Sequence, residues 1–303
     1  MSSISKGDPA GEVFAVVVAE HVRRIEQRVP AALADEPDGV HRLRTAVRRL
    51  RTVLAVYRPV FDRDEAAMLR SRLAELGAVL GAVRDLEVRR EDVESVGRSA
   101  RVPLAARRHL LEALDERHAL AHRELVAWCT GPEMTRLTAD LVRWAAGPPA
   151  GPKAAEPARK LARKRLRKAA RRALRAADDV DLSRWRDADG DERDHLLAQA
   201  HRLRKAGRRV SHAARAVTRG PAKILGSGAR ELGAAGKELQ SSLGDHRDGL
   251  LLAAFVTAVA ESVADDGGDR RPYDRLARAA ARRGAARLDA ADEAVARLRS
   301  AVG

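Results

Sequence analysis

Apolar residues recur along this chain at spacings of three and four, and clusters of Gly, Pro and Asp divide the pattern into long segments. That period belongs to amphipathic helices. Asp8-Pro9 can open the first helix, with Asp as cap and Pro in the first turn, and the pattern carries it to Leu33. Glu36-Pro37-Asp38-Gly39 breaks it. A second helix stops at Arg58-Pro59, and Asp62 caps a third that reaches Val96. Val102-Pro103 starts a fourth, ending near Gly131-Pro132, and a short helix from Glu133 to Ala146 closes this half. Gly147-Pro148-Pro149-Ala150-Gly151-Pro152 is the clearest linker. Further helical patterns then cover 156–179, 190–219, 227–264 and 270–301. No sustained alternation of β-branched and aromatic residues occurs, so strands are not expected.

Two motifs recur in the same order. His41-Arg42-Leu43-Arg44-Thr45-Ala46-Val47-Arg48-Arg49-Leu50-Arg51 matches His201-Arg202-Leu203-Arg204-Lys205-Ala206-Gly207-Arg208-Arg209-Val210-Ser211 at seven of eleven positions. Further on, Leu80-Gly81-Ala82-Val83-Arg84-Asp85 is matched by Leu243-Gly244-Asp245-His246-Arg247-Asp248. Such order argues for an internal duplication. The predicted architecture is all-α: two four-helix bundles, 9–146 and 156–301, joined by a linker over 147–155. They would pack with pseudo-two-fold symmetry and bring both basic helices to one central cavity.

The cations have a direction. With His41 at zero on a helical wheel, Arg44, Arg48 and Arg51 fall at about 300°, 340° and 280°. Leu43, Val47, Leu50 and Leu54 fall between about 180° and 240°. The basic stripe therefore borders the apolar stripe instead of facing away from it. His201, Arg204 and Arg208 repeat the arrangement, with Lys205 and His212 beside them. Arg49 and Arg209 lie outside the main line, near about 80–100°. Cations beside a core face repel one another unless an anion or nearby carboxylates compensate. Neither basic motif contains an acid, so a bound polyanion is the partner this pattern favours.

Charge and composition narrow the classes. The chain has 303 residues, 45% of them hydrophobic but only 3% aromatic, and a net charge of +15. Residues 1–150 hold 24 Lys+Arg against 22 Asp+Glu, whereas residues 151–303 hold 34 against 21. From Arg159 to Arg175 there are ten Lys/Arg and no acid, with Arg165, Lys168 and Arg172 in one line. This surplus points to nucleic acid, polyphosphate or an anionic surface. Cys129 is the sole cysteine, which excludes an intramolecular disulfide and suits a reducing compartment. Met1 to Pro9 carries no apolar signal core, and the longest apolar stretch, near Leu250 to Ala260, is about half a membrane span. A cytoplasmic location is expected.

No phosphate-binding Gly-rich loop is present, and His195 and His246 each merely adjoin an Asp. His118 and His122 stand four apart, read here as one helix face and not as a metal site, because the His-Glu-x-x-His pattern is missing. No metal, cofactor or catalytic residue is expected, and the chain reads as a binding protein, not an enzyme. Nonspecific nucleic-acid binding is the main alternative, with few aromatics for base stacking. A granule scaffold is another, with Glu91-Asp92-Val93-Glu94 and Asp265-Asp266 as candidate recruiting patches.

The pattern His41-x-x-Arg44-x-x-x-Arg48-Arg49-x-Arg51, followed by Tyr57-Arg58-Pro59-Val60-Phe61, resembles the CHAD family, the conserved-histidine α-helical domain. Leu76-Gly77, Leu80-Gly81 and Arg84-Asp85 fit the same family, and the second copy fits more weakly. The resemblance runs from about residue 10 to 300. It implies two pseudo-symmetric four-helix bundles, binding of inorganic polyphosphate in a basic central cavity, and association with polyphosphate granules. Carried over position by position, the ligands are His41, Arg44, Arg48, Arg49 and Arg51, with His201, Arg204, Lys205, Arg208 and Arg209 in the second half. Ser211 stands where an Arg would match Arg51. The Glu-x-Glu-x-Lys signature of the triphosphate-tunnel domain fused to many relatives is missing here, and its hydrolytic activity is not carried over. Arg binds phosphate oxygens bidentately and Lys as a point charge, so a helical row of cations can track a linear anion. His41 and His201 could gain a proton beside phosphate and tighten binding at mild acidity.

Overall fold

The computed structural model describes residues 5, 7–181, 184–185 and 190–302, so most of the Met1 to Pro9 segment, read above as lacking an apolar signal core, lies outside the described residues. Among the described residues there are helices and no strand, as the pattern predicted. They run α1 (Ala10–Glu26), α2 (Val29–Leu33), α3 (Gly39–Val56), α4 (Arg63–Ser99), α5 (Leu104–Thr130) and α6 (Pro132–Ala146). The second half holds α7 (Ala158–Asp178), α8 (Gly190–Thr218), α9 (Ser227–Asp265), α10 (Arg271–Ala285) and α11 (Leu288–Val302).

Asp62 caps α4 as expected, its Oδ1 accepting from the Asp64 and Glu65 amides at 3.0 Å each. The first helix departs from expectation twice. It ends at Glu26, because Pro30 in the first turn of α2 lacks the amide needed to continue the ladder. Asp8 does not cap it either. The linker does, through Glu156 O to the Ala10 amide and Ala154 O to the Gly11 amide, both at 2.8 Å. The linker is pinned on its other side as well, where the Gly151 amide donates to Val60 O at 2.8 Å and the Asp62 amide to Pro149 O at 2.9 Å. The pattern over 270–301, read as one helix, is two, broken at Ala286 and Arg287. The turn lets α10 pack on α9 and α4 while α11 packs on α9 and α7.

The long helices α4 and α9, about 55 Å each, organise the molecule. Their N-terminal portions pack with α3 and α8 in one large core that runs from Phe14, Leu43 and Leu50 to Leu203, Val210 and Leu239. Their C-terminal portions share a smaller core, where Val93, Leu110 and Leu114 meet Leu252, Val256 and Leu276. Both cores draw on both halves of the chain. The buried Tyr57 hydroxyl, from the first half, donates to Ala213 O of the second at 2.9 Å. Helix α3 thus lies against α8, and the basic motifs face each other along that seam.

Candidate polyanion-binding seam between the basic helices

Each basic helix buries its apolar edge and holds its arginines half-buried at the border. Leu43, Val47 and Leu50 are fully buried on α3, as are Leu203 and Val210 on α8. The guanidinium heads need room, and the second motif supplies it. A side chain at Gly81 would stand 3.4 Å from the Arg44 guanidinium, and one at Gly77 only 3.3 Å from that of Arg51. Gly244 lies beneath Arg204 in the second half. The Leu-Gly elements of α4 and α9 are therefore the floor on which these arginines lie.

At one end of the seam a cavity of about 200 Å³ opens between α3, α4, α8 and α9. His41, Arg44 and Arg48 line it together with Arg204, and so do Arg84, Asp85, Arg247 and Asp248 from the second motif and Arg89 one turn further along α4. Carboxylates compensate here. Arg44 pairs with Asp85 at 2.9 Å, and Arg84 pairs with Glu87 at 2.8 Å and Glu91 at 3.0 Å. Asp248 is held above the usual carboxylate range by burial, against the pull of Arg204 and Arg247. At this end the acid-free motifs are compensated after all, because the acids arrive from other helices.

Beyond that end the compensation stops. Among the described residues Arg51, Arg208 and Arg209 make no ion pair with a carboxylate, and Arg48 and Arg204, at the cavity's edge, feel Asp85 and Asp248 only at longer range. Burial, then Arg44, Arg208 and Arg204, push Arg48 down to about 9. Arg208 is pushed to about 10 by burial and by Arg204, Arg44, Arg51 and Arg209. Arg51 is lowered by burial, Arg70 and Arg209. Arg70 in turn adjoins Arg58, and Arg58 adjoins Arg165. The result is a row of mutually repelling guanidiniums running from the cavity towards α7.

The predicted residues divide. His41, Arg44, Arg48, Arg51, His201, Arg204, Lys205, Arg208 and Arg209 come together along the seam. Arg165 reaches its end, donating through Nε to Val56 O at 2.6 Å, with Arg172 beside it. Lys168 turns away into an outer groove of α7 with Arg163, Lys164 and Arg171. Arg49 also departs. It faces the opposite side of the α3–α8 pair, with His21, Arg24, His212 and Arg215. His41 is held below the usual imidazole range by burial and Arg84, and His201 is held down to about 4 by burial and Lys205. Both are therefore neutral near pH 7. The site residues that sequence reasoning did not assign are Arg70, Arg84, Asp85, Arg89, Arg247 and Asp248. Four of these belong to the repeated Leu-Gly-x-x-Arg-Asp element, whose recurrence was the available signal.

The sequence profile of the CHAD domain matches residues 16–257. Among solved structures, the CHAD domain from the plant Ricinus communis superposes with a TM-score of 0.71 at 21% identity, covering 97% of this chain and 94% of that one. PptA from Streptomyces chartreusis superposes with a TM-score of 0.63 at 19% identity, covering 97% of this chain and 99% of that one. At such identities the structural likeness concerns the fold. No curated protein sequence matches the chain significantly.

Proposed function

The chain belongs to the CHAD domain family, and from that footing we propose that it binds inorganic polyphosphate along the α3–α8 seam and associates with polyphosphate granules. One observation carries the reading: among the described residues the half-buried row of Arg48, Arg208 and Arg51, continued by the exposed Arg209, makes no ion pair with a carboxylate. Buried like charges destabilise the empty fold, and a linear polyanion removes that cost while filling the guanidinium forks. The ligand has no bases to read, which fits the scarcity of surface aromatics. Tyr57, Phe14, Phe61 and Trp144 are all buried. Paired Arg44 and Arg84 hold the cavity open without adding net charge, so Arg48 and Arg208 carry the binding. The role is binding and not catalysis: the carboxylates near the cavity are engaged by arginines.

The outer face of α7 supports a second reading, sequence-independent contact with nucleic acid, since its exposed Lys/Arg line a groove without an acid among them. Competition calorimetry separates the two. Long-chain polyphosphate is expected to bind in the presence of excess DNA of matched charge. An Arg48→Met/Arg208→Met variant loses at least about 100-fold in affinity, from about 1.5–3 kcal/mol for a charged hydrogen bond at each of the two positions. The same variant melts higher than the parent when unliganded, because the repulsion is gone. Equal affinity for both polyanions, unchanged in the variant, would return the charge to a diffuse basic surface.

A further inference from the structure

Beside the cavity, behind Arg84, the turn between α2 and α3 meets the middle of α4 and α5. His118 and His122 stand one turn apart on α5, their rings nearly parallel at 13° and 6.2 Å between centroids. Asp35 sits in the turn at φ 52°, a left-handed conformation that a non-glycine residue adopts at some cost. Its Oδ1 lies 3.7 Å from His118 Nε2 and 3.9 Å from His122 Nε2. Glu87 of α4 completes the group, and one ligating atom each from Asp35, Glu87 and His118 falls within 4.8 Å of the others.

These separations are too long for hydrogen bonds. They are close to what a shared ion requires, since ligands at about 2.0–2.1 Å from a tetrahedral zinc stand roughly 3.4 Å apart. His122 Nε2 is 3.0 Å from Ala32 O. A carbonyl only accepts, so that nitrogen carries the proton and His122 fixes the end of α2 just before Asp35. The His118 side chain is 14% exposed and that of Asp35 46%, so the group is sheltered on the helix side and open at the turn.

We propose that Asp35, Glu87 and His118 form a binding site for a divalent first-row transition cation of the zinc class, with His122 positioning the turn. Three protein ligands leave the open side to solvent. An imidazole with two carboxylates favours such a cation over magnesium or calcium, which prefer all-oxygen shells. The two carboxylates also match the charge of a dication. Glu87 is the partner of Arg84, so a bound cation competes for a carboxylate that otherwise neutralises a cavity arginine. The site stands independently of the polyphosphate reading.

The test uses the full chain, stripped with chelator and free of polyphosphate, which itself binds divalent ions. It is titrated with Co²⁺ as a spectroscopic probe and with Zn²⁺ by calorimetry. The expected result is one equivalent bound, with visible d–d absorption, and no displacement by millimolar Mg²⁺. His118→Ala, Asp35→Asn and the near-isosteric Glu87→Gln each weaken binding at least about 10-fold. The control His195→Ala, an exposed histidine on α8, does not. Far-UV circular dichroism and unchanged melting of the metal-free variants confirm that they fold. Weak binding at many sites, no binding, or one-equivalent binding that survives His118→Ala and Glu87→Gln would each overturn the proposal.

Discussion

At the residue scale the molecule tolerates charge where most folds exclude it. Arg48 and Arg208 are kept in a crowded, half-buried row, and the neighbouring histidines answer by staying neutral. His21 is 6% exposed and is held down to about 4 by burial and by Arg24 and Arg49. His212 is held down to about 3 by burial and by Arg49 and Arg208. The unfolded chain takes up these protons below about 6.5, whereas the folded chain refuses them until about pH 4 and 3. Stability from these two groups is therefore complete above about pH 6.5 and falls with pH through that window. Urea midpoints measured from pH 7 to 4 should decline, and His212→Leu, which removes the buried imidazole, should flatten the decline. A flat profile in the parent would refute the assignment. The direction of the seam arginines could be read from sequence because helical angle is local, and the same arithmetic placed Arg49 outside the main line. The compensation of Arg44 by Asp85 could not be read, because it joins residues on different helices.

At the element scale the two copies differ where packing demands it. The position of Val47 in α3 is Gly207 in α8. A Cβ there would stand 3.0 Å from Gly236 O and 3.1 Å from Leu239 Cγ, so α8 and α9 must give way to admit a side chain. Gly207→Val, which restores the residue of the first copy, should destabilise the protein by about 1–3 kcal/mol through overpacking. Chemical denaturation measures it, and an unchanged midpoint would mean the helices can separate freely. Helix identities and most ends were legible because Asp62, Pro59, Pro103 and Pro132 punctuate the pattern. The break at Ala286-Arg287 was not. Gly284 was the one nearby signal, and the break lets α10 reach α4 and α11 reach α7 while both stay packed on α9. Pro30 was a visible signal, and it ends α1.

At the scale of the whole molecule, the two cores that span both halves make separate unfolding of either half costly. Calorimetry should show one cooperative transition, whose enthalpy matches the van't Hoff value. Two resolved transitions would mean that the Tyr57–Ala213 bond and the shared cores contribute little coupling. No helix among the described residues is long and apolar enough to cross a membrane. The pinned linker carries a different consequence, one of time. A nascent protein leaves the ribosome from its N-terminus, and the opening amides of α1 find their acceptors on Ala154 and Glu156. Until translation has passed the midpoint of the chain, those donors have only water to bond. Helix α1 is thus among those that must wait, and the α3–α8 seam closes only when the later half arrives to meet the earlier one.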